Sequence, residues 1–133
     1  MKIVIIVDQE LGPGLAANAA AALALSLAGR VEGVNGPDLA DGSGSVHPGI
    51  LRLPIPVLKA AAPRLAELRA KALGEGAVAV LDFSEHAQGA RSYAEYEAAL
   101  AGARADEIAY RGLCLYGEDR AVAGLTGSLP LYR

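Results

Sequence analysis

The sequence predicts an α/β fold in which helices cover both faces of a sheet. Three observations carry this. Continuous apolar runs of strand length stand at Ile3–Val7 and Ala77–Leu81, the pattern of strands buried on both sides, and a third strong strand pattern stands at Ile108–Tyr116. Helix-forming stretches fall between them, at Leu15–Ala28, after Pro63 and after Ser92. Glycine and proline clusters punctuate the junctions. With 133 residues the chain is read as one domain, 1–133, large enough to bury roughly two-thirds of its unfolded surface.

Each element has a local reason. Ile3–Val7 is a β-branched run closed by Asp8. Gly12-Pro13-Gly14 breaks it, as a tight turn that calls for positive φ. Leu15–Ala28 is rich in alanine and leucine, a strong helix former. It is apolar nearly all round, which predicts burial between the sheet and a further surface such as a second subunit; Gly29 closes it. Gly33–Gly49, with Asn35-Gly-Pro-Asp38 and Asp41-Gly-Ser-Gly-Ser45, reads as a long loop. Pro54–Leu58 reads as a short strand whose prolines suit an edge. Pro63 opens an amphipathic helix with Leu65, Leu68 and Ala72 inside. Ala77–Leu81 is the next strand, with Asp82 at its end. Ser84–Gln88 is a single helical turn. Ser92 and Glu95 have capping-box spacing and open a helix to about Ala101. Ile108–Tyr116 is the third strong strand. Gly117-Glu-Asp119 starts a short helix ended by Gly124, and Leu129–Tyr132 reads as a last strand.

Composition narrows the function classes. A formal charge of −3 argues against a protein that grips nucleic acid through phosphate neutralisation. Basic residues are nevertheless concentrated mid-chain, from Arg52 and Lys59 through Arg64, Arg69 and Lys71 to Arg91. The single cysteine, Cys114, forms no intrachain disulfide, sits in an apolar run and fits a reducing, cytoplasmic setting as a buried, inert thiol. The helix Leu15–Ala28 is too short to span a bilayer, so no membrane role is expected. Two distant histidines and scattered acids make no metal signature; neither a metal nor a cofactor is expected. Leu11-Gly-Pro-Gly14 matches neither a P-loop nor a dinucleotide fingerprint.

Three segments, in order, resemble the type II peptidyl-tRNA hydrolases. These are Glu10-Leu-Gly12 with Ala16-Ala-Asn18; Val57-Leu-Lys59 followed by a helix and Val80-Leu-Asp82; and Leu115-Tyr-Gly117 with Val122-Ala-Gly-Leu-Thr-Gly127 and the ending Ser128–Tyr132. More closely, the chain is identified as a member of the domain-of-unknown-function family numbered two thousand. The Leu11–Asn18 opening, the Val46-His-Pro-Gly49 loop and the Thr126–Leu131 ending prompt that identification. The resemblance implies a three-layer α/β/α fold with a mixed sheet of about four strands, and a homodimer. It also implies that the parent hydrolytic set is incomplete. The family's helix lysine falls at Gly14 and its histidine at Ala21; only Lys59 and Asp82 have counterparts.

The polar candidates follow from their positions. Asp8 and Asp82 end strands on one sheet edge, where converging carboxylates would raise one pKa. Asp82 and His86, four residues apart, are the candidate acid/base pair. Gly12, Gly14, Asn18, Lys59 and His47 are the candidate ligand contacts, since free amides at a helix start hold small anions. Structural roles compete at each: turn or capping work for Asp8 and Asp82, a solvated strand end for Lys59, exposed turn positions for His47 and His86. The sequence thus predicts binding of a small ligand, anionic if the helix-start amides hold it, without the parent reaction. The alternative is a hydrolase of peptidyl-tRNA or a smaller aminoacyl ester or amide, with His86 or His47 replacing the lost groups. A dimerisation module, cued by the apolar helix, ranks third.

Overall fold

The computed structural model describes residues 1–133. Strand β1 (Lys2–Asp8) leads into α1 (Pro13–Ala28). Two short strands, β2 (Leu39–Ala40) and β3 (Val46–His47), precede β4 (Val57–Ala60) and α2 (Ala62–Gly74). Then follow β5 (Val78–Ser84), α3 (Glu85–Gly89), α4 (Tyr93–Ala101), β6 (Tyr110–Gly117) and α5 (Asp119–Thr126). The main sheet has four strands in the order β4-β1-β6-β5. β1 runs parallel to β4 and antiparallel to β6, and β6 is antiparallel to β5. The sheet is therefore mixed, and the carboxyl ends of β1, β4 and β5 share one side.

Alternation along the strands divides the core in two. Val4, Ile6, Leu113 and Leu115 face α2 and α5 and pack with Leu65, Leu68, Ala72 and Val122. Ile3, Ile5, Val7 and Cys114 point the other way, against Ala16, Leu23 and Leu27 of α1. Each fully buried Leu or Ile contributes about 1.5–3 kcal/mol. Gly112 sets the distance between α1 and the sheet: a Cβ there would stand 3.0 Å from Leu23 Cδ1 and 3.2 Å from the Ile6 carbonyl.

Several expectations change. The Gly12–Gly14 turn needs no positive φ: Gly12 has φ −67° and Gly14 is already helical, because Pro13 opens α1 directly. Positive φ falls instead at Gly33, Gly44 and Gly117. Helix α1 is buried on one face only; Leu15 and Leu25 are exposed. The strand anticipated over Pro54–Leu58 begins at Val57 and runs to Ala60, since Pro54 and Pro56 have no N–H for the ladder. It does lie at a sheet edge. The tail at Leu129–Tyr132 forms a bridge between Leu131 and Leu58, not a full strand. It binds β4 through Lys59 N–H to Pro130 O (3.0 Å) and Tyr132 N–H to Val57 O (2.8 Å). Helix α5 continues through Gly124 to Thr126, with Gly127 as its cap.

The largest difference lies between Gly33 and Leu53. The expected loop is a two-stranded ribbon closed by Arg52 N–H to Val34 O (2.7 Å), Gly36 N–H to Ile50 O (2.8 Å) and Asp41 N–H to Ser45 O (2.9 Å). Asp41 builds its turn by accepting from the Ser43 and Ser45 amides, an Asx turn.

Candidate functional site

The polar residues nominated from sequence separate into four places. His47 lies on the ribbon, exposed, with Nε2 2.8 Å from Asp41 Oδ2. That bond and the Ser43 and Ser45 amides hold the Asp41 carboxyl below the usual carboxylate range. Lys59 and Asp82 occupy opposite edge strands, three inter-strand steps apart, or about 14 Å. They do not share a site.

Asp8 and Asp82 do not converge either, although both strands end on the same side. Asp8 is buried and accepts from the Glu10 amide (3.0 Å), the local turn role. Its other oxygen lies 3.9 Å from Arg111 Nη1. Arg111 Nη2 stands 3.9 Å from Glu85 Oε2, and Glu85 Oε1 stands 3.9 Å from His86 Nε2. The near acid of His86 is thus Glu85, not Asp82. A bulge places Arg111 in this chain: Phe83 pairs with Gly112 but Ser84 with Tyr110, leaving Arg111 as the extra residue. Gln88 on α3 donates to Leu15 O (3.0 Å) and Asn18 Oδ1 (3.3 Å), tying α3 to the first turns of α1. Asn18 therefore has a protein partner, and Gly12 and Gly14 are exposed at the same helix start.

Asp82 is held elsewhere. Its carboxylate accepts from Arg69 Nε of α2 at 2.8 Å, and the guanidinium lies over the Tyr110 ring, 5.2 Å from the centroid. Burial works against the Arg69 charge, but the hydrogen bond and charge of Asp82 outweigh it and raise its pKa. Tyr96 of α4 completes the group. Burial, then the Asp82 charge, push its phenol above the ordinary value.

Asp82 and Tyr96 also border a cleft of about 470 Å³; a wider one, about 690 Å³, lies between Lys2, Pro54–Pro56 and Arg120. Its floor is apolar, with Leu23 from α1 and Leu81 and Phe83 from β5; Ala87, Ala90 and Tyr93 form the α3–α4 wall. Two cations line it, Arg30 just beyond α1 and Arg91 just before α4. Neither guanidinium has a carboxylate partner, as is also true of Arg52, Arg120 and Arg133 outside the cleft; Arg64, Arg69, Arg104 and Arg111 have at least one each. Arg91 is set in place by capping: Ser92 Oγ accepts from the Glu95 amide (3.1 Å), and Glu95 Oε2 accepts from the Arg91 amide (2.8 Å).

Sequence reading passed over Arg30, Arg69, Arg91, Glu85, Gln88 and Arg111. Arg69 had a signal: it stands four residues after Leu65 and one after Leu68, at the margin of the inner face of α2. The basic concentration mid-chain included it and Arg91. Arg111 stood out only as the one charged residue within Ile108–Tyr116; the bulge that aims it has no mark in the sequence.

No His, Cys, Asp and Glu cluster of three or more is arranged to hold a metal ion. No helix is long and apolar enough to cross a membrane. No curated protein matches the chain. Among solved structures it is similar to Atu0240, a protein of unknown function from Agrobacterium tumefaciens strain C58. The TM-score is 0.88 at 19% identity, with 99% of this chain and 97% of that one covered; the likeness is one of fold. The family profile described as "protein of unknown function (DUF2000)" matches residues 1–133, and the chain belongs to that family.

Proposed function

We propose that the protein binds a small organic anion with an apolar body in the cleft between α1, β5 and α4. One observation carries the reading: two arginines without carboxylate partners stand over a floor of Leu23, Leu81 and Phe83. An apolar cleft with a few converging polar groups is the usual form of a small-molecule site, and arginine is suited to carboxylates. The reading keeps the fold akin to type II peptidyl-tRNA hydrolases without their reaction. Gly14 and Ala21, where that family carries lysine and histidine, support the loss. So does the pairing of Asp82 with Arg69, which ties up the carboxylate that would act as base.

Calorimetric titration with 2-naphthoate and with its neutral amide tests the reading. Naphthoate binds and the amide binds at least tenfold more weakly; the Arg30→Ala/Arg91→Ala double variant removes the difference. Equal binding of the two, or none, would overturn it.

A second reading, hydrolysis of an acyl ester or amide, rests on the polar chain Asp8–Arg111–Glu85–His86 beside the start of α1. Here His86 would act as base and Glu85 would orient it. Turnover of an N-acyl-aminoacyl-tRNA or a p-nitrophenyl ester that vanishes in His86→Ala supports it; turnover unchanged in that variant removes it.

A further inference from the structure

Arg69 belongs to α2, a helix that contributes nothing to the lining of the cleft. It nevertheless pairs with the one acid there, whose side chain alternates with Leu81 and Phe83 and so leaves β5 on the α2 face, at the edge of the sheet. Asp82 is the only carboxylate among the thirteen lining residues. Its side chain is about one-quarter exposed and is bound by Arg69 Nε at 2.8 Å. Tyr110 supports the guanidinium from β6, with its ring centroid 5.2 Å away. On the cleft side stands Tyr96, whose phenol senses both the Asp82 and the Arg69 charges.

A free carboxylate in this position would oppose an anion. With both side chains only partly exposed, water screens that charge incompletely. Paired with Arg69 it is compensated, and Arg30 and Arg91 then set the sign of the cleft. We propose that Arg69 is the specificity-determining residue of the cleft, selecting anions from behind β5 by neutralising Asp82. The inference rests on the anion-binding reading above and adds to it the device that fixes the preferred charge. Arg69 is a positioning residue; it is absent from the cleft lining and acts through Asp82.

The test uses two probes of similar shape and opposite charge, 2-naphthoate and 2-naphthylmethylammonium. Both are titrated calorimetrically into the wild type, Arg69→Gln, Asp82→Asn and the double variant, with Arg69→Lys as the charge-conserving control. Arg69→Gln should weaken naphthoate by about tenfold and strengthen the ammonium probe, because an uncompensated charge at a partly buried site has about that effect. Asp82→Asn should shift the ratio of the two affinities the opposite way, toward the anion. The double variant should return within about twofold of the wild-type ratio, because the charge lost at Arg69 and the charge lost at Asp82 cancel. Arg69→Lys should keep the wild-type preference.

Equal weakening of both probes in Arg69→Gln would assign Arg69 a purely structural role and overturn the inference. An unchanged ratio in Asp82→Asn would do the same, independently of whether the Arg69 variants fold. If naphthoate binding to the wild type depends on Arg30 and Arg91 but the ratio ignores Arg69 and Asp82, this inference alone falls. If the wild type binds neither probe, the anion-binding reading falls and takes the inference with it.

Discussion

The ribbon and the central sheet draw on the same residue types. Leu39, Val46 and Ile50 of the ribbon segment are 64–79% exposed, while Ile3, Ile5 and Leu113 of the sheet are at most 2% exposed. Both regions are hydrogen-bonded two-dimensional structures, yet only one has helices on its faces. Strand propensity is a preference for fitting a pleated, half-buried surface, and the ribbon lacks the surface. An isolated two-stranded hairpin is marginally stable in water. Local polar contacts hold this one: Asp41 organises its turn, and Asp38 Oδ1 accepts from the Gly49 amide at 2.8 Å. Burial decides what a side chain contributes; pairing alone does not.

The widest contrast should be chemical. Burial pushes the Cys114 thiol up to about 12, so at pH 8 its thiolate is scarcer than an ordinary one by about a thousandfold. Cys114 should stay silent to a disulfide reagent until the protein unfolds, whereas Ser43→Cys on the ribbon reacts within the mixing time. Ready labelling of native Cys114 would mean that α1 leaves the sheet.

In stability, Leu113→Ala should cost about 2–5 kcal/mol in urea unfolding, while Val46→Ala should stay within about 0.5 kcal/mol. A comparable loss at Val46 would show that the ribbon packs on something in solution.

Two glycines sharpen the comparison. Gly117 has φ +148°, and a Cβ there would run into the Ala77 carbonyl. Gly117→Ala should therefore lower global stability, by about 1–3 kcal/mol. A Cβ at Gly49 would collide with the Gly36 backbone. Gly49→Ala should release the Gly36 and Arg52 amides to hydrogen exchange and leave the unfolding midpoint of the sheet unchanged. A global loss from Gly49→Ala would join the two regions into one cooperative unit.

The smallest effect is a pH dependence of the ribbon. The folded pKa of Asp41 is depressed, so its contribution is fully present above the unfolded carboxylate value, about 3.9. It is lost as pH falls through the folded value. Amide shifts of Ser43 and Ser45 should move at acid pH in the wild type and stay fixed in Asp41→Asn.

The sheet was readable in the sequence because β1, β5 and β6 each carry an apolar stretch of strand length; of these β1 is buried nearly throughout, whereas β5, expected to be covered on both faces, is a half-exposed edge strand. Ser92 and Glu95 announced their helix because capping is local chemistry. The ribbon escaped because its paired stretches, Leu39–Ala40 with Val46–His47 and the single bridge Asn35–Leu51, are too short to show a side-chain period among the surrounding glycines and prolines. The cleft escaped for a different reason. Arg30, Asp82 and the pair Arg91 and Tyr96 come from three separate stretches, and only the fold brings them together. The sequence assigned Asp82 an acid/base partner by proximity in the chain, His86. Its partner is thirteen residues back on α2, where the strand's facing direction, not chain distance, selects the contact.

One contact has a consequence for solubility. The tail residues Leu129–Tyr132 lie along the outer side of β4, taking up the Lys59 amide and the Val57 carbonyl, and Tyr132 Oη anchors them by donating to Leu11 O at 2.7 Å. A bare strand margin is a template for pairing with other chains. These last few residues act as a cover strip on the sheet, and a chain lacking them would present β4 to its neighbours as a surface for aggregation.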